Sequence, residues 1–380
     1  MGLLQRMKDV GNLAREGRGR KNRPATVDYE PTSVQIEVTN NCNLLCNFCG
    51  RTNLSNLEAI GSMNLEKFQH IFNQFNHLRS VSLFGHGEPL MSPYLFDIVR
   101  WIRAEKGKRF KINITSNGIL LKQKIVDQLV ENDVRLTVSF DATTPETYVA
   151  MVGAPTFHKV LEGLDRLRVA TETTGFKWSL NYVLGNENIG EMVEMVEWAK
   201  KYRARRLNIG EQNFYGAGGR KEDAFIKLRD ELRDTVAAAL KKGNEIGQKI
   251  RLNRRDKHVW PEHDVYVPCK YLWAFPFISW DGYVCLCCAR PYPKVHHFGN
   301  VFEQSFQEIW FSERYAEYRT KVAGGTENTV CKGCQHLHRD AEEEIIEIDT
   351  KARAAKVRKK TAVGAVEAPE PKGKALPTAD

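Results

Sequence analysis

Three cysteines, Cys42, Cys46 and Cys49, stand in the run Cys42-Asn43-Leu44-Leu45-Cys46-Asn47-Phe48-Cys49, a C-x3-C-x2-C spacing, and the next cysteine is Cys269. A zinc site or an ordinary four-iron cluster takes four protein ligands. Three thiolates alone leave one iron of a cluster open, and an open coordination position is where a metal centre works on a small molecule. Structural thiols, or a share in a zinc site, are the other uses of such a run. Three polar clusters lie downstream: Gly85-His86-Gly87-Glu88-Pro89, Thr115-Ser116-Asn117-Gly118 and Ser139-Phe140-Asp141. Glycines let a ligand approach the backbone closely, and Pro89 stiffens the exit of its turn. Taken singly, Ser116 and Asp141 read equally as turn chemistry or helix caps.

The elements that must position these groups follow from pattern. Residues 34–39, 81–84, 111–115 and 136–140 are apolar, β-branched runs that read as strands, each ending at one of the clusters. Residues 178–184 and 206–210 read as a fifth and a sixth strand. Between them lie helical stretches. Asn64 caps one, Thr144 caps another with Pro145 at its first position, and Asn188 caps a third through Met192, Val193, Val196 and Trp198. Strands alternating with helices predict βα units and a parallel sheet, whose sites lie at the C-terminal ends of the strands.

The cysteine spacing, the strand before it and the downstream strand ends together resemble the radical S-adenosylmethionine (radical SAM) enzymes. The resemblance implies a partial (β/α)6, TIM-like barrel of class α/β. It implies a 4Fe-4S cluster on Cys42, Cys46 and Cys49, with SAM chelating the fourth iron. Phe48 falls where the family has an aromatic residue beside the adenine. Gly85, His86, Gly87, Glu88 and Pro89 fall on the family's Gly-Gly-Glu-Pro motif, which binds the SAM amino group. Here His86 replaces the first glycine, and Gly85 stands just before it. Ser116 and Asn117 match the polar turn after the third strand. Ser139 and Asp141 match the fourth-strand residues that contact the SAM ribose or carboxylate.

Six cysteines come late: Cys269, Cys285, Cys287, Cys288, Cys331 and Cys334. Cys269, Gly282 and Cys287 fit C-x9-15-G-x4-C, the opening of the C-terminal extension called SPASM, or Twitch in its shorter form. Trp280-Asp281-Gly282-Tyr283 reads as a hairpin turn within it. Two fully ligated clusters need eight ligands, so six cysteines favour one auxiliary 4Fe-4S cluster on Cys269, Cys287, Cys331 and Cys334, with Cys285 and Cys288 as alternates. A structural zinc drawing on His336 or His338 is the rival use.

Length and charge frame this reading. The 380 residues are expected to divide into a basic segment 1–30, a barrel 31–245, an extension 246–345 and a disordered tail 346–380. The net charge of +9 sits mostly at the ends: residues 1–30 hold seven Lys/Arg against four Asp/Glu, and residues 351–380 hold eight against three. Basicity confined to tails makes a nucleic-acid substrate the weaker expectation. The cluster from Arg251 to Lys257 reads as a domain joint or an anion contact. No signal peptide or membrane-spanning run is visible. Nine cysteines then suit a cytoplasmic, metal-binding chain rather than disulfides.

The resemblance implies reductive cleavage of SAM to a 5′-deoxyadenosyl radical that takes hydrogen from a substrate, with flavodoxin or ferredoxin as electron donor. A single auxiliary cluster, and a short N-terminal segment with no room for a peptide-recognition domain, favour net oxidation of a small molecule such as a sugar or cyclitol hydroxyl. Glu211 and Arg206, around strand six, are the candidate base and its neighbour for such an oxidoreductase. A peptide- or protein-modifying maturase is the alternative. A non-catalytic iron–sulfur carrier is the reading of another class, although a carrier has no need of the SAM-binding strand ends.

Overall fold

Seven parallel strands laid side by side in chain order make the body of the protein. The structure is a computed structural model that describes residues 3–53, 59–211, 229–253, 264–266, 268–289, 292–325, 331, 338–340, 342–349 and 354–361. The strands are β1 (Ser33–Ile36), β2 (Ser80–Ser82), β3 (Lys111–Ser116), β4 (Arg135–Ser139), β5 (Ser179–Leu184), β6 (Leu207–Glu211) and β7 (Ile250–Asn253). Each pairs in parallel with the next. The sheet is open, a partial barrel. The sequence predicts six βα units and a barrel ending at 245; β7 continues the parallel sheet past that point. Of the expected basic joint, Arg251 lies in β7 and residues 254–257 fall outside the described residues.

Helices cover one face. After α1 (Leu3–Asn22) and the short α2 (Gly50–Asn53) come α3 (Leu65–Phe72), α4 (Leu95–Lys106), α5 (Gln123–Glu131), α6 (Pro145–Val152), α7 (Phe157–Thr174), α8 (Met192–Lys201) and α9 (Arg229–Ile246). Strand alternation supplies their partner surface. Val34, Val81, Ile112, Ile114, Leu136, Val138, Leu180 and Leu207 are all buried in one core. The alternate positions put Gln35, Ser82 and Asn113 in one row, and Asn181 and Asn208 in another, on the other face of the sheet. Asn113 Nδ2 donates to the Val81 carbonyl at 3.1 Å, and Asn208 Nδ2 donates to Asn181 Oδ1 at 2.8 Å. The inner face is therefore polar and internally bonded, unlike a closed barrel packed with branched apolar side chains.

Two of the expected caps form. Asn64 accepts the Lys67 N–H at 2.9 Å, and Thr144 accepts the Thr147 N–H at 3.3 Å with Pro145 in the first turn. Asn188 does otherwise. It is fully buried and makes no cap bond; a 3-10 turn at Ile189–Glu191 intervenes before α8. Its amide donates to the carbonyls of Asp141 (2.8 Å) and Val183 (2.9 Å), and its Oδ1 accepts the Gly185 N–H. It thus ties the ends of β4 and β5 together, because a buried amide is satisfied best by the backbone groups around it.

Beyond β8 (Asp264–Tyr266) and α10 (Tyr271–Ala274), the extension adds β9 (Phe277–Ile278), β10 (Tyr283–Cys285) and β11 (Gly299–Asn300). β9 pairs in parallel with β1, so the extension continues the barrel's own sheet. The expected hairpin turn is present: β9 and β10 are antiparallel, and Gly282 has φ +95°, a value that favours glycine. After it come α11 (Phe306–Trp310), opened by a Ser305–Glu308 capping box, and α12 (Glu313–Gly324). Of the tail expected to be disordered from 346, residues 346–349 and 354–361 are in strands. After β12 (His338–Asp340), β13 (Glu342–Asp349) pairs with β7 and with β14 (Ala354–Thr361). β13 therefore lies between β7 and β14, and β14 forms the edge of the sheet. Residues 362–380 lie outside the described residues.

Candidate functional site

The four sequence clusters converge at the C-terminal ends of β1–β4 on one cavity. Cys42, Cys46, Cys49, Phe48, Gly85, His86, Gly87, Glu88, Ser116, Asn117, Ser139 and Asp141 all line it, together with Thr115, Tyr148 and Phe84. Pro89 lies just outside, buried in the first position of a 3-10 turn that Glu88 caps.

The three thiols share this wall. Three thiolates around one hollow suit a polynuclear group, in which each takes its own iron. Burial lifts the Cys42 and Cys46 thiols above their ordinary range. Only a bound cation makes such sulfurs good anionic ligands. The donor set and its placement therefore fit an iron–sulfur cluster.

Around the thiols the loops are fixed by backbone bonds. The Glu88 N–H donates to the Asn41 carbonyl at 2.8 Å, pinning the second motif to the cysteine loop. Glu88, 2 % exposed, accepts the Asn117 N–H at 2.7 Å and the Leu90 N–H at 3.1 Å. Burial pushes its carboxyl up to about 7 despite those bonds. Asp141 is likewise buried, accepts the Val183 N–H at 2.6 Å, and is raised to about 7 by burial. Asn117 Nδ2 donates to Asn43 Oδ1 at 2.8 Å and lies 3.9 Å from Cys42 Sγ, linking the third strand end to the first. His86 packs edge-on against Tyr292 of the extension, ring centres 5.1 Å apart, and is held near 4 by burial and by Arg51.

Several residues of the site were not marked by the sequence. Glu37, 3 % exposed at the end of β1, accepts the His86 N–H at 2.8 Å; a carboxylate inside an apolar strand run was the available signal. Asn43, Tyr148 and Tyr292 carry no such mark. Arg206 is a correction. It precedes β6, and its carbonyl accepts the Leu180 N–H at the start of β5, so it stands at the opposite end of the sheet from the cavity. Glu211 ends β6, on the cavity side, opposite Leu184; its side chain lies outside the described residues.

In the extension, Cys285 is buried on β10, Cys287 and Cys288 are half-buried in the loop after it, and Cys269 is half-buried after Pro268. Cys331 Sγ lies 3.6 Å from Tyr318 Oη. Cys285 and Cys287 are close enough to Tyr315 to raise its phenol further, after burial. Tyr315 and Tyr318 are three apart on α12, so Cys285, Cys287 and Cys331 each lie near the same side of that helix. Cys334 and His336 fall outside the described residues, as does the side chain of His338.

Comparison with known proteins agrees with this geometry. The family model described as the Radical SAM superfamily matches residues 36–199, and that of an iron-sulfur cluster-binding SPASM domain matches residues 269–335. A PqqA peptide cyclase of Gluconobacter oxydans is 25% identical over 327 residues, covering 83% of this chain and 86% of that one. An AdoMet-dependent heme synthase of Methanosarcina barkeri is 26% identical over 339 residues, covering 80% and 91%. Among solved structures, Streptococcus suis SuiB bound to precursor peptide SuiA superposes with a TM-score of 0.65 at 19% identity, covering 87% of this chain and 73% of that one. AdoMet-bound anSMEcpe gives 0.59 at 17% identity, covering 81% and 88%.

Proposed function

As a radical SAM enzyme with a C-terminal SPASM domain, which binds SAM, a 4Fe-4S cluster and auxiliary iron–sulfur clusters, this chain is, we propose, a peptide- or protein-modifying enzyme. The observation that carries the reading is similarity to peptide cyclases across both domains: relatives of that name align over about four-fifths of both chains. The fold is also one that seats a precursor peptide in SuiB. The oxidation of a sugar or cyclitol hydroxyl, expected from cysteine arithmetic, has less support. One of its two candidate residues, Arg206, stands at the wrong end of the sheet. A small-molecule reading keeps one specific support, the heme synthase match.

When bound, the cluster and SAM supply a primary carbon radical able to take hydrogen from an unactivated carbon. The chain's own residues do the rest. Cys42, Cys46 and Cys49 hold the cluster on a loop locked by the Glu88–Asn41 and Asn117–Asn43 bonds. Gly85, His86 and Gly87 would hold the SAM amino group against backbone, Ser116, Asn117, Ser139 and Asp141 would bond its polar groups, and Phe48 would cover the adenine and exclude water. On the inner face, Asn113, Asn181 and Asn208 form a polar, internally bonded lining along the path of a chain entering the open barrel. Glu211, on the cavity side of β6, is the candidate proton acceptor near the substrate. Cys269, Cys287, Cys331 and Cys334 hold the auxiliary cluster, with Cys285 and Cys288 in reserve.

The test is to reconstitute the protein anaerobically and add SAM, dithionite and the short peptides encoded beside its gene, then read peptide mass and fragmentation. A new cross-link or oxidation in one peptide supports the reading. Unmodified peptides together with turnover of a tetrapyrrole would replace it with the heme-synthase-like reading.

A further inference from the structure

Helix α1 meets the body with its polar side and leaves its apolar side in solvent. Asn12, 1 % exposed, donates to the Glu30 carbonyl at 2.8 Å and accepts the Glu30 N–H at 3.0 Å. Glu16, 2 % exposed, accepts from Thr32 Oγ1 at 2.6 Å, and Asp9 lies 2.7 Å from the His77 ring. On the far side Met7 and Val10 are 64 % and 67 % exposed, and Leu13, on the flank of the helix, is 38 % exposed. A surface helix normally shows the reverse arrangement. Scattered exposed aliphatics are ordinary, but Met7 and Val10, one turn apart opposite a polar buried face and with Leu13 at its flank, mark a surface that something covers.

Charge says what kind of surface. Asp9 and Glu16, the two acids of α1, are both committed inward, whereas Arg6, Lys8, Arg18, Arg20 and Lys21 are exposed. The outer face is an apolar centre edged by cations, the complement of an acidic protein with a small apolar patch. A helix lying in a membrane surface wants Trp, Phe or Leu across a wide face, and α1 has no aromatic residue.

Position narrows it further. Glu30 and Thr32 precede β1 and His77 precedes β2, so α1 covers the N-terminal ends of the strands, away from the cavity mouth. The residues just after it reach the extension. Arg23 Nε donates to the Pro268 carbonyl at 3.2 Å, next to Cys269, and Trp273 Nε1 donates to the Pro24 carbonyl at 2.7 Å. A partner seated here leaves the substrate path clear and rests beside the first cysteine of the iron–sulfur extension.

We propose that the outer face of α1 docks a small acidic one-electron donor protein of the flavodoxin or ferredoxin class. The proposal rests on the radical SAM reading, in which each reductive cleavage consumes one electron. The donor is oxidised by one electron and the iron–sulfur groups of this chain are reduced by one. Electron-transfer complexes are among the smallest and weakest protein interfaces, which suits a single helix face.

The test uses the full-length reconstituted protein, purified flavodoxin as probe, and two surface variants, Met7→Ser with Val10→Ser, and Arg18→Glu with Lys21→Glu. Binding is measured by calorimetry at low and high salt, and 5′-deoxyadenosine formation is driven by reduced flavodoxin or by dithionite. The expected result is a flavodoxin Kd about tenfold weaker in each variant. Wild-type binding weakens with salt, the flavodoxin-driven rate falls in step, and the dithionite-driven rate is unchanged. Wild-type affinity in both variants overturns the proposal. So does loss of binding to phosphatidylserine vesicles with flavodoxin affinity intact, which assigns the face to a membrane. If dithionite yields no deoxyadenosine from the wild type, the enzyme reading fails, and the binding comparison still decides the docking face.

Discussion

At Gly87 a methyl group has nowhere to go: a Cβ would sit 2.3 Å from the Thr39 carbonyl oxygen and 2.6 Å from that of Asn41. Those carbonyls belong to the loop that leads into Cys42, so Gly87→Ala is expected to cost about 1–3 kcal/mol and to lower the iron held near Cys42. Urea unfolding and iron analysis check both. Cys42→Ala is expected to abolish 5′-deoxyadenosine formation; full turnover in that variant would remove the cluster assignment. Legibility at this scale followed the range of the interaction. The three cysteines announce themselves by type and local spacing, and Glu88, Asn117 and Asp141 by standing at strand ends. Glu37, Asn43 and Tyr292 gain their meaning from partners 49, 74 and about 200 residues away, which a local pattern does not carry. Arg206 and Glu211 look like neighbours in sequence, but a five-residue strand puts its ends roughly 16 Å apart.

Strands and caps were legible because periodicity and cap chemistry are local. The β-branched runs form β1–β6, and Asn64 and Thr144 cap as their types suggest. Asn188 looked the same in sequence, yet a buried site at the β4–β5 ends claimed its amide. The helix α1 was missed, since a polar buried side reverses the usual signal and Gly11, Gly17 and Gly19 weaken helix propensity. Its buried carboxylate gives a test. Burial raises the Glu16 carboxyl above its ordinary value, against the opposing effects of the Thr32 hydroxyl and of Arg20 and Arg79. A carboxyl raised in the folded state penalises folding once ionised. The penalty is absent at low pH, begins as pH passes the unfolded carboxylate range, and is complete above the raised folded value. Glu16→Gln, which keeps an acceptor for Thr32, is therefore expected to gain stability relative to wild type as pH rises from 4 to 8. Urea midpoints at a series of pH values read it directly; a difference that does not change with pH would mean that Glu16 is ionised without cost.

On the scale of the whole molecule, the extension is joined to the barrel by strand pairing rather than tethered to it. β9 lies against β1, one loop away from Cys42, and Tyr292 reaches His86 in the cavity. Both iron–sulfur regions thus share one frame, while their ligands remain separate. Cys331→Ala is expected to lower iron per chain while leaving SAM cleavage partly intact; unchanged iron would exclude Cys331 as a ligand. Among the described residues no helix is long and apolar enough to cross a membrane. The general chemistry was legible in the sequence. The substrate class was not, because it depends on the shape and lining of the open barrel more than on any motif. The most direct measurement follows two products in one anaerobic reaction of protein, SAM, dithionite and a candidate peptide: 5′-deoxyadenosine by chromatography and peptide by mass. The peptide-modifying reading predicts that deoxyadenosine accumulates with modified peptide in proportion. Deoxyadenosine formed at the same rate with and without peptide, and peptide recovered unchanged, would contradict it.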